Sequence, residues 1–169
     1  MIFRISIRSW RFTFTLAPIS KVIGVNSNLP DGKHIVMWDF DDIPLILVEV
    51  SLRWVQEAYS LPPIYILNTG AKDHYIAYCF HRCTWKESIE IVACTEYVDP
   101  SFFRFGVYRK HWTLRVSPKE GRKPKLIKIL DSPWIESVSL ADLRSWVKYE
   151  TIADKAPIGK RELNIGRDT

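Results

Sequence analysis

Two aspartates, Asp39 and Asp41, stand two residues apart at the end of a hydrophobic run, in the order Trp38-Asp39-Phe40-Asp41. Alternate side chains of a β-strand point to the same face, so both carboxylates would lie on one side of a sheet while Phe40 enters the core. Two carboxylates this close repel each other unless a cation lies between them, and a divalent ion is the usual partner. The pair therefore predicts a metal site, although aspartates in this position also cap helices.

The segment Thr69-Gly70-Ala71-Lys72-Asp73-His74 lies between two apolar runs and combines a hydroxyl, a glycine backbone, an ammonium and an imidazole. This set suits a triphosphate, because these groups donate hydrogen bonds to phosphate oxygens and the lysine adds positive charge. It is not a Walker A loop, since the GxxxxGK[ST] spacing and the following helix are both missing. A third acidic residue, Asp99, precedes Pro100 at another expected strand edge.

Positive charge is concentrated between residues 100 and 128. This stretch has nine Lys or Arg residues against one acid and so carries +8, whereas the whole chain of 169 residues carries +5. Aromatic residues are interleaved with the basic ones, as phosphate contacts and base stacking require. A charge run is also typical of a solvated face. The residues that we expect to contact nucleic acid are Arg104, Tyr108, Arg109, Lys110 and Trp112.

The three cysteines, Cys79, Cys83 and Cys94, are an odd number in a sequence without a signal-peptide pattern. This favours a reducing, cytoplasmic location over a disulfide framework. Their spacing lacks the paired CxxC arrangement of a zinc site, so no zinc is expected. No apolar run approaches the ~20 residues that cross a bilayer, which predicts a soluble protein with no membrane partner.

Hydrophobic periodicity predicts the elements that must position these residues. Strands are expected in two N-terminal segments, 3–7 and 10–16, with a phase slip at Ser9, and then at 34–38, 64–67, 75–80, 103–108, 112–116 and 126–130. Helices are expected from residue 45 to residue 60, from the capping box at Thr84 to about Thr95, and from 139 to 149. A single domain would then cover residues 1–152, followed by a polar tail at 153–169.

From residue 34 the expected order is strand, helix, strand, strand, helix, strand, which is typical of a split βαβ or ferredoxin-like fold. The predicted class is α+β, with an RRM-like sheet core, added N-terminal strands and a C-terminal helix. On such a sheet the acidic strand ends and the loop at 69–74 would converge on one exposed face.

In this order the motifs resemble the catalytic core of the archaeo-eukaryotic primases and primase-polymerases, over roughly residues 34–128. The first family motif, hydrophobic-Asp-hydrophobic-Asp, is matched by residues 38–41. The second, Ser-Gly-x-Gly-x-His, is matched by residues 69–74 with Thr for Ser and Lys for the second Gly. The third, a hydrophobic residue before Asp, is matched by Val98-Asp99, and residues 114–119 look like the basic tract that follows in many members.

The resemblance implies a template-directed nucleotidyltransferase, a small DNA primase or primase-polymerase that acts in DNA replication. Asp39, Asp41 and Asp99 would be the catalytic residues and would hold two Mg²⁺ or Mn²⁺ ions. The expected partners are a single-stranded DNA template with its primer and nucleoside triphosphates. The residues implied to bind the incoming nucleotide are Thr69, Gly70, Lys72, His74, Arg115 and Lys119.

Two other functions fit parts of the sequence. An RRM-like sheet can bind single-stranded nucleic acid without catalysis, as a non-catalytic replication protein would. A nicking replication initiator would need a His-hydrophobic-His pair, which none of the four histidines provides. A chain of this length leaves little room for a separate initiation or helicase domain, so we expect either a partner subunit that supplies this function or a protein that only extends primers or makes short products. A compact replication protein also suggests a mobile element or virus.

Overall fold

The computed structural model describes residues 2–7, 10–15, 19–152 and 160–163. The chain divides into two compact units, one formed by Met1–Lys21 with Glu150–Thr169 and the other by Val22–Tyr149. The domain boundaries expected from the sequence stay predictions. In chain order the elements are β1 (Ile2–Ile7), β2 (Trp10–Thr15), β3 (Ile19–Asn26), β4 (His34–Phe40), α1 (Leu45–Ala58), β5 (Ile64–Asn68), β6 (Tyr75–Cys83), α2 (Trp85–Ala93), α3 (Pro100–Arg109), β7 (Thr113–Arg115), β8 (Lys125–Leu130), β9 (Trp146–Ile152) and β10 (Lys160–Leu163).

The first unit contains the two N-terminal strands that the alternation predicts. β1 and β2 pair antiparallel, and β10 pairs with the other edge of β1 in parallel orientation. The phase slip expected at Ser9 lies outside the described residues. β10 is formed by residues of the segment expected to be a polar tail.

The second unit is built on a four-stranded antiparallel sheet of order β4-β6-β5-β8. β6 lies between β4 and β5 and is antiparallel to both, so β4 and β5 run in the same direction and are joined through α1. The strands β4, β5 and β6 form where the sequence predicts them. A second sheet has the order β7-β3-β9, and its strand β3 was not predicted.

The buried face of the four-stranded sheet carries the alternate residues of β4 and the helices that cover them. Trp38 and Phe40 are fully buried, and the indole N–H of Trp38 donates to the hydroxyl of Thr95, just after α2, at 2.8 Å. The capping box predicted for α2 is confirmed, since the Thr84 hydroxyl accepts from the Glu87 N–H and the Glu87 carboxylate accepts from the Thr84 N–H. On the other face of β4, Ile35 and Met37 are also fully buried, and Asp39 is the one residue of this strand that keeps partial exposure.

The strand predicted at 103–108 is wrong, because this segment forms helix α3. Asp99 is the N-cap and accepts from the N–H of Phe102 at 2.6 Å, and Pro100 occupies the first turn. Both residues are helix-start signals, and the alternating phenylalanines obscured them. The fourth strand of the sheet is instead β8, which pairs with the outer edge of β5.

The C-terminal helix predicted at 139–149 is also wrong. Ser139 and Asp142 form the expected capping box, but it starts only a single 3₁₀ turn over Leu140–Asp142. Residues from Trp146 onward form β9, which lies beside β3. Pairing with a distant strand therefore overrides the local helical spacing.

The described chain is a mixed α+β structure with three α-helices, which confirms the predicted class at that level. None of the helices in the described part of the chain combines the length and the apolar character needed to span a bilayer. The end of β4, the start of α3 and the turn between β5 and β6 all belong to the second unit, and these three places carry the predicted motifs.

Candidate active site

Asp39 lies near the end of β4 on the face opposite to the helices. The alternation expected from the sequence is confirmed, because Phe40 is fully buried whereas Asp39 keeps partial exposure. In the pairing of β4 with β6, Asp39 lies opposite Ile76 and Phe40 opposite Tyr75. Asp41 follows directly after the strand and is exposed.

His74 contacts the second aspartate of the pair. Because β4 and β6 are in register at Phe40 and Tyr75, the next residues, Asp41 and His74, face each other across the end of the sheet. The Nδ1 atom of His74 lies 2.7 Å from Oδ1 of Asp41, and its Nε2 atom lies 3.3 Å from Oδ1 of Asp42. The first two family motifs are therefore joined through this imidazole.

The backbone of Asp99 is hydrogen-bonded to the end of β4, at Asp39. Its N–H donates to the carbonyl oxygen of Asp39 at 2.8 Å, so the first turn of α3 is attached to the end of β4. One carboxylate oxygen of Asp99 accepts from the N–H of Phe102 as the helix cap. The three aspartates that the sequence predicts as one site are thus neighbours in the structure.

The environment of Asp39 disfavours its ionised form. The pKa of Asp39 is raised to about 7, mainly by burial and also by the negative charges of Asp41 and Asp99, while His74 acts in the opposite direction. A carboxyl with this pKa exchanges its proton near neutral pH. The buried position of Asp39, more than the charges of its neighbours, therefore disfavours the carboxylate form.

The three aspartates offer only carboxylate oxygens, which are the ligands that Mg²⁺ and Mn²⁺ prefer. Within residues 19–152 and the other described segments, however, no three His, Cys, Asp or Glu side chains converge closely enough to hold a metal ion. Asp41 faces His74 instead, and Asp99 caps α3. The residues fit a divalent cation by their chemistry, but the structure does not gather them around one point.

The turn between β5 and β6 contains the second motif. Its geometry is set by Asn68, whose Oδ1 atom accepts from the N–H of Gly70 at 2.7 Å, and by the Thr69 N–H, which donates to the carbonyl of His74 at 3.1 Å. Gly70 has a φ of 90°, and a Cβ atom there would lie 2.7 Å from Cβ of Arg122. The glycine is required both by its conformation and by the close approach of the 119–122 hairpin. Lys72 is exposed at the tip of the turn.

Arg115, predicted as a phosphate contact, spans the turn and the hairpin. Its guanidinium donates to the carbonyl oxygens of Thr69 at 3.2 Å, Arg122 at 2.8 Å and Ser117 at 3.1 Å. Lys119 forms an isolated bridge with Arg122 in the same hairpin. Arg115 therefore positions the second motif, and Lys119 lies on the hairpin that packs against it.

Four of the five residues predicted to contact nucleic acid are exposed on or just after α3. Tyr108 is 86 % exposed, and the guanidinium of Arg109 lies 5.5 Å from the centre of the Phe105 ring. Trp112 is different, because it is fully buried and its indole N–H donates to the hydroxyl of Ser88. A base contact by Trp112 is incompatible with this position. The other exposed members of the set are Arg104 and Lys110.

Two tyrosines near Asp39 were missed from the sequence. Burial raises the pKa of both Tyr78 and Tyr149, and the charge of Asp39 raises each of them further. Tyr78 is two residues after Ile76 on β6 and so shares the face of Asp39. This could have been predicted once β6 was placed beside β4, whereas Tyr149 falls in the segment predicted as a helix.

Replacement of Asp39 by Asn should stabilise the fold above pH 7. The folded pKa of about 7 exceeds the unfolded value of about 3.9, so the folded state keeps a proton that the unfolded chain loses, and stability falls as the pH rises between these values. Asn cannot ionise, and we expect a gain of the order of 2 to 4 kcal/mol at pH 8 and almost none at pH 4. Urea unfolding at the two pH values measures this.

The matched control for this prediction is Asp42→Asn, since the Asp42 side chain is 89 % exposed. This variant should change stability little at either pH. An equal gain from Asp39→Asn at pH 4 and pH 8 would show that Asp39 is ionised normally in the folded protein.

Asp39, Asp41, His74 and Asp99 thus come together at one end of the four-stranded sheet, next to the turn that carries Thr69 to Lys72. No protein-family model matches the sequence, and no similar protein was found among curated proteins or solved structures. The function of this chain must therefore be inferred from the chemistry and geometry of the site.

Proposed function

We propose that the chain is a template-directed nucleotidyltransferase, a small DNA primase or primase-polymerase. The observation that carries this proposal is the hydrogen bond from the Asp99 N–H to the Asp39 carbonyl, beside the contact between Asp41 and His74. Short motifs recur by chance in unrelated sequences, but motifs that arise by chance are not expected to lie side by side in the folded chain. The meeting of all three motifs at one end of a sheet supports a common site.

The strand order lends support to the RRM-like core expected for such an enzyme. β6 is inserted between β4 and β5, which run parallel to each other, as in the first half of a split βαβ fold. The second half differs, since α3 replaces the expected strand and β8 adds at the β5 edge. The proposed core is therefore a variant, and its sheet face beside Asp39 carries the buried residues Met37 and Tyr78.

Each residue of the site has a role that its position permits. Two Mg²⁺ or Mn²⁺ ions held by Asp39, Asp41 and Asp99 would supply Lewis-acid stabilisation of the reacting oxygens. The Nε2 atom of His74 lies 3.3 Å from Asp42, and it would exchange this contact for a hydrogen bond to the triphosphate. Lys72, exposed on the same turn, would add positive charge.

Thr69, Arg115 and Lys119 would shape the nucleotide site from the turn and the neighbouring hairpin. The hydroxyl of Thr69 is within the same turn, and Arg115 keeps that turn against the hairpin that carries Lys119. Positioning of this kind is the main contribution that a protein makes to phosphoryl and nucleotidyl transfer. A single-stranded template would follow the basic, aromatic surface of α3.

A second candidate function is single-strand binding without catalysis. It is favoured by the exposed aromatic residues of α3 and by the absence, among the described residues, of side chains already gathered around a metal. Primer extension distinguishes the two candidates: the purified chain is incubated with a primed template, Mn²⁺ and either ribo- or deoxynucleoside triphosphates. Extension that follows the template sequence supports the proposed enzyme, whereas strand binding without incorporation supports the second candidate.

Binding of single-stranded DNA should depend on α3. Base stacking contributes about 1–3 kcal/mol per base, so Tyr108→Ala should weaken binding about tenfold. Arg104→Gln should reduce the slope of log affinity against log salt by about 0.7, because one phosphate contact is lost. Fluorescence anisotropy at several salt concentrations measures both effects.

The control for the binding prediction is Trp54→Ala, which removes an exposed aromatic residue from α1 instead of α3. This variant should bind the strand with unchanged affinity. Binding that does not depend on salt, or that is equally weakened by the control, would contradict the assignment of α3 as the nucleic-acid surface.

A further inference from the structure

A pocket of about 410 Å³ lies on the same face of the four-stranded sheet as Asp39, toward β5 and β8. This face is shared because Tyr78 lies opposite Met37 in the pairing of β4 with β6, and Met37 alternates with Asp39 along β4. Aromatic and aliphatic side chains form most of the wall. The volume is within the range of small-ligand pockets, about 300–1,000 Å³.

One wall of the pocket carries a hydroxyl group that has no partner. Tyr78 is only 7 % exposed, and across the described residues its hydroxyl oxygen finds no hydrogen-bond partner although it is buried. Buried polar groups are nearly always paired, since an unmade hydrogen bond costs free energy. Because this oxygen is closed to solvent, a ligand acceptor would reach it after a small displacement of the pocket wall, and the new hydrogen bond would remove that cost.

A carboxylate lines the same pocket. The Tyr65 hydroxyl hydrogen-bonds to the carboxylate of Glu136, which raises the pKa of Tyr65 to about 12. Tyr65 and Tyr78 are register partners on β5 and β6, so their side chains stand next to each other on this face. A carboxylate accepts several hydrogen bonds, and Glu136 therefore retains capacity for N–H donors of a ligand. The pocket thus combines the Tyr78 hydroxyl and the Glu136 carboxylate with aromatic walls, and Arg115 also lines it.

We propose that this pocket binds a guanine base. Guanine has two flat apolar faces for the aromatic walls, adjacent N1–H and N2–H donors for Glu136, and ring or carbonyl acceptors for the Tyr78 hydroxyl. Adenine and the pyrimidines lack this pair of adjacent donors. The choice of a nucleobase among flat heterocycles rests on the proposed function. The base belongs either to a nucleoside triphosphate or to an unstacked position of a single strand.

Calorimetric titration of the full chain with guanosine, adenosine and cytidine, without divalent ions, tests this assignment. We expect guanosine to bind most tightly. Tyr78→Phe should weaken its binding about fivefold and Glu136→Gln about tenfold, because each variant removes one hydrogen-bonding group. The matched controls are Tyr97→Phe and Glu57→Gln, both at exposed positions outside the pocket, and they should bind guanosine as the parent chain does.

Folding of the variants is checked by thermal unfolding. Tyr78→Phe removes a buried unpaired group and should unfold at the same or a higher temperature than the parent chain. Weak guanosine binding by a stable variant then reports on the pocket and not on the fold. Equal binding of guanosine and adenosine, with no effect of either variant, would overturn the assignment.

Competition experiments distinguish the source of the base. Displacement of bound guanosine by GTP alone assigns the pocket to a nucleotide, and displacement by an oligo-dT strand with a single guanine assigns it to the template. Displacement by neither would contradict the proposal. Guanosine binding by a parent chain that incorporates no nucleotide would refute the proposed enzyme and leave the pocket assignment standing.

Discussion

The double variant Asp39→Ala with Asp41→Ala should lose template-directed nucleotide incorporation by on the order of 10³-fold or more. These carboxylates are proposed to hold the divalent ions, and metal stabilisation of the reacting oxygens is worth several kcal/mol, with about 1.4 kcal/mol for each factor of ten in rate. Binding of the template should persist or become slightly tighter, because two negative charges near the phosphates are removed. Incorporation of labelled nucleotide and anisotropy of a labelled strand measure the two properties separately.

The matched control for this variant is Glu57→Ala with Glu96→Ala. It also removes two carboxylates, but from exposed positions outside the site, one on α1 and the other just after α2. Incorporation should remain at the level of the parent chain. If the Asp39 and Asp41 variant kept full incorporation, the metal site and the proposed enzyme would both be wrong.

Replacement of Gly106 by Ala should strongly destabilise the second unit. A Cβ atom at position 106 would overlap Cε3 and Cζ3 of the buried Trp112 ring. Alanine is favoured over glycine inside a helix by about 1 kcal/mol, but overpacking costs about 1–3 kcal/mol and more where the neighbour cannot move. Trp112 is held by the Ser88 hydroxyl and stacks on Phe102 and Phe103, so it has little freedom to move.

We therefore expect a net loss of about 2 kcal/mol and a fall in the unfolding temperature of about 5–10 °C. The control is Ser101→Ala, at an exposed position of the same helix, which should change stability by less than about 0.5 kcal/mol. An unchanged unfolding temperature for Gly106→Ala would mean that α3 does not pack on Trp112. Because α3 begins at Asp99, its packing also fixes the position of the third motif.

The elements that form within one stretch of sequence could be predicted. Short apolar runs bounded by turn residues predicted β4, β5 and β6, helical spacing predicted α1, and the capping box at Thr84 predicted the start of α2. The placement of Asp39 and Phe40 on opposite faces follows from the alternation of side chains along a strand. These features depend on neighbours along the chain, and local periodicity records such neighbours directly.

The two wrong predictions concern segments whose structure depends on contacts with residues that are far away in the sequence. The phenylalanines of α3 alternate as in a strand, but Gly106 lets the helix pack closely against Trp112, and Asp99 with Pro100 starts that helix. The spacing at 139–149 favours a helix, but Trp146 and the residues after it pair beside β3. In both segments the local preference is weak, and burial or strand pairing with remote residues overrides it.

The sequence by itself determined which acidic and basic side chains flank the elements: two aspartates at the end of one buried strand, a histidine before another, and a third aspartate ahead of a proline, where the structure has the start of a helix and not the expected strand edge. Only the tertiary structure decided that they meet. Asp99 reaches Asp39 because the start of α3 bonds to the end of β4 sixty residues earlier, and His74 reaches Asp41 because β4 and β6 are in register. The type of each residue is encoded locally, whereas the distances between them depend on which strands pair and which helix buries Trp112, and these choices follow from the free energy of the whole fold.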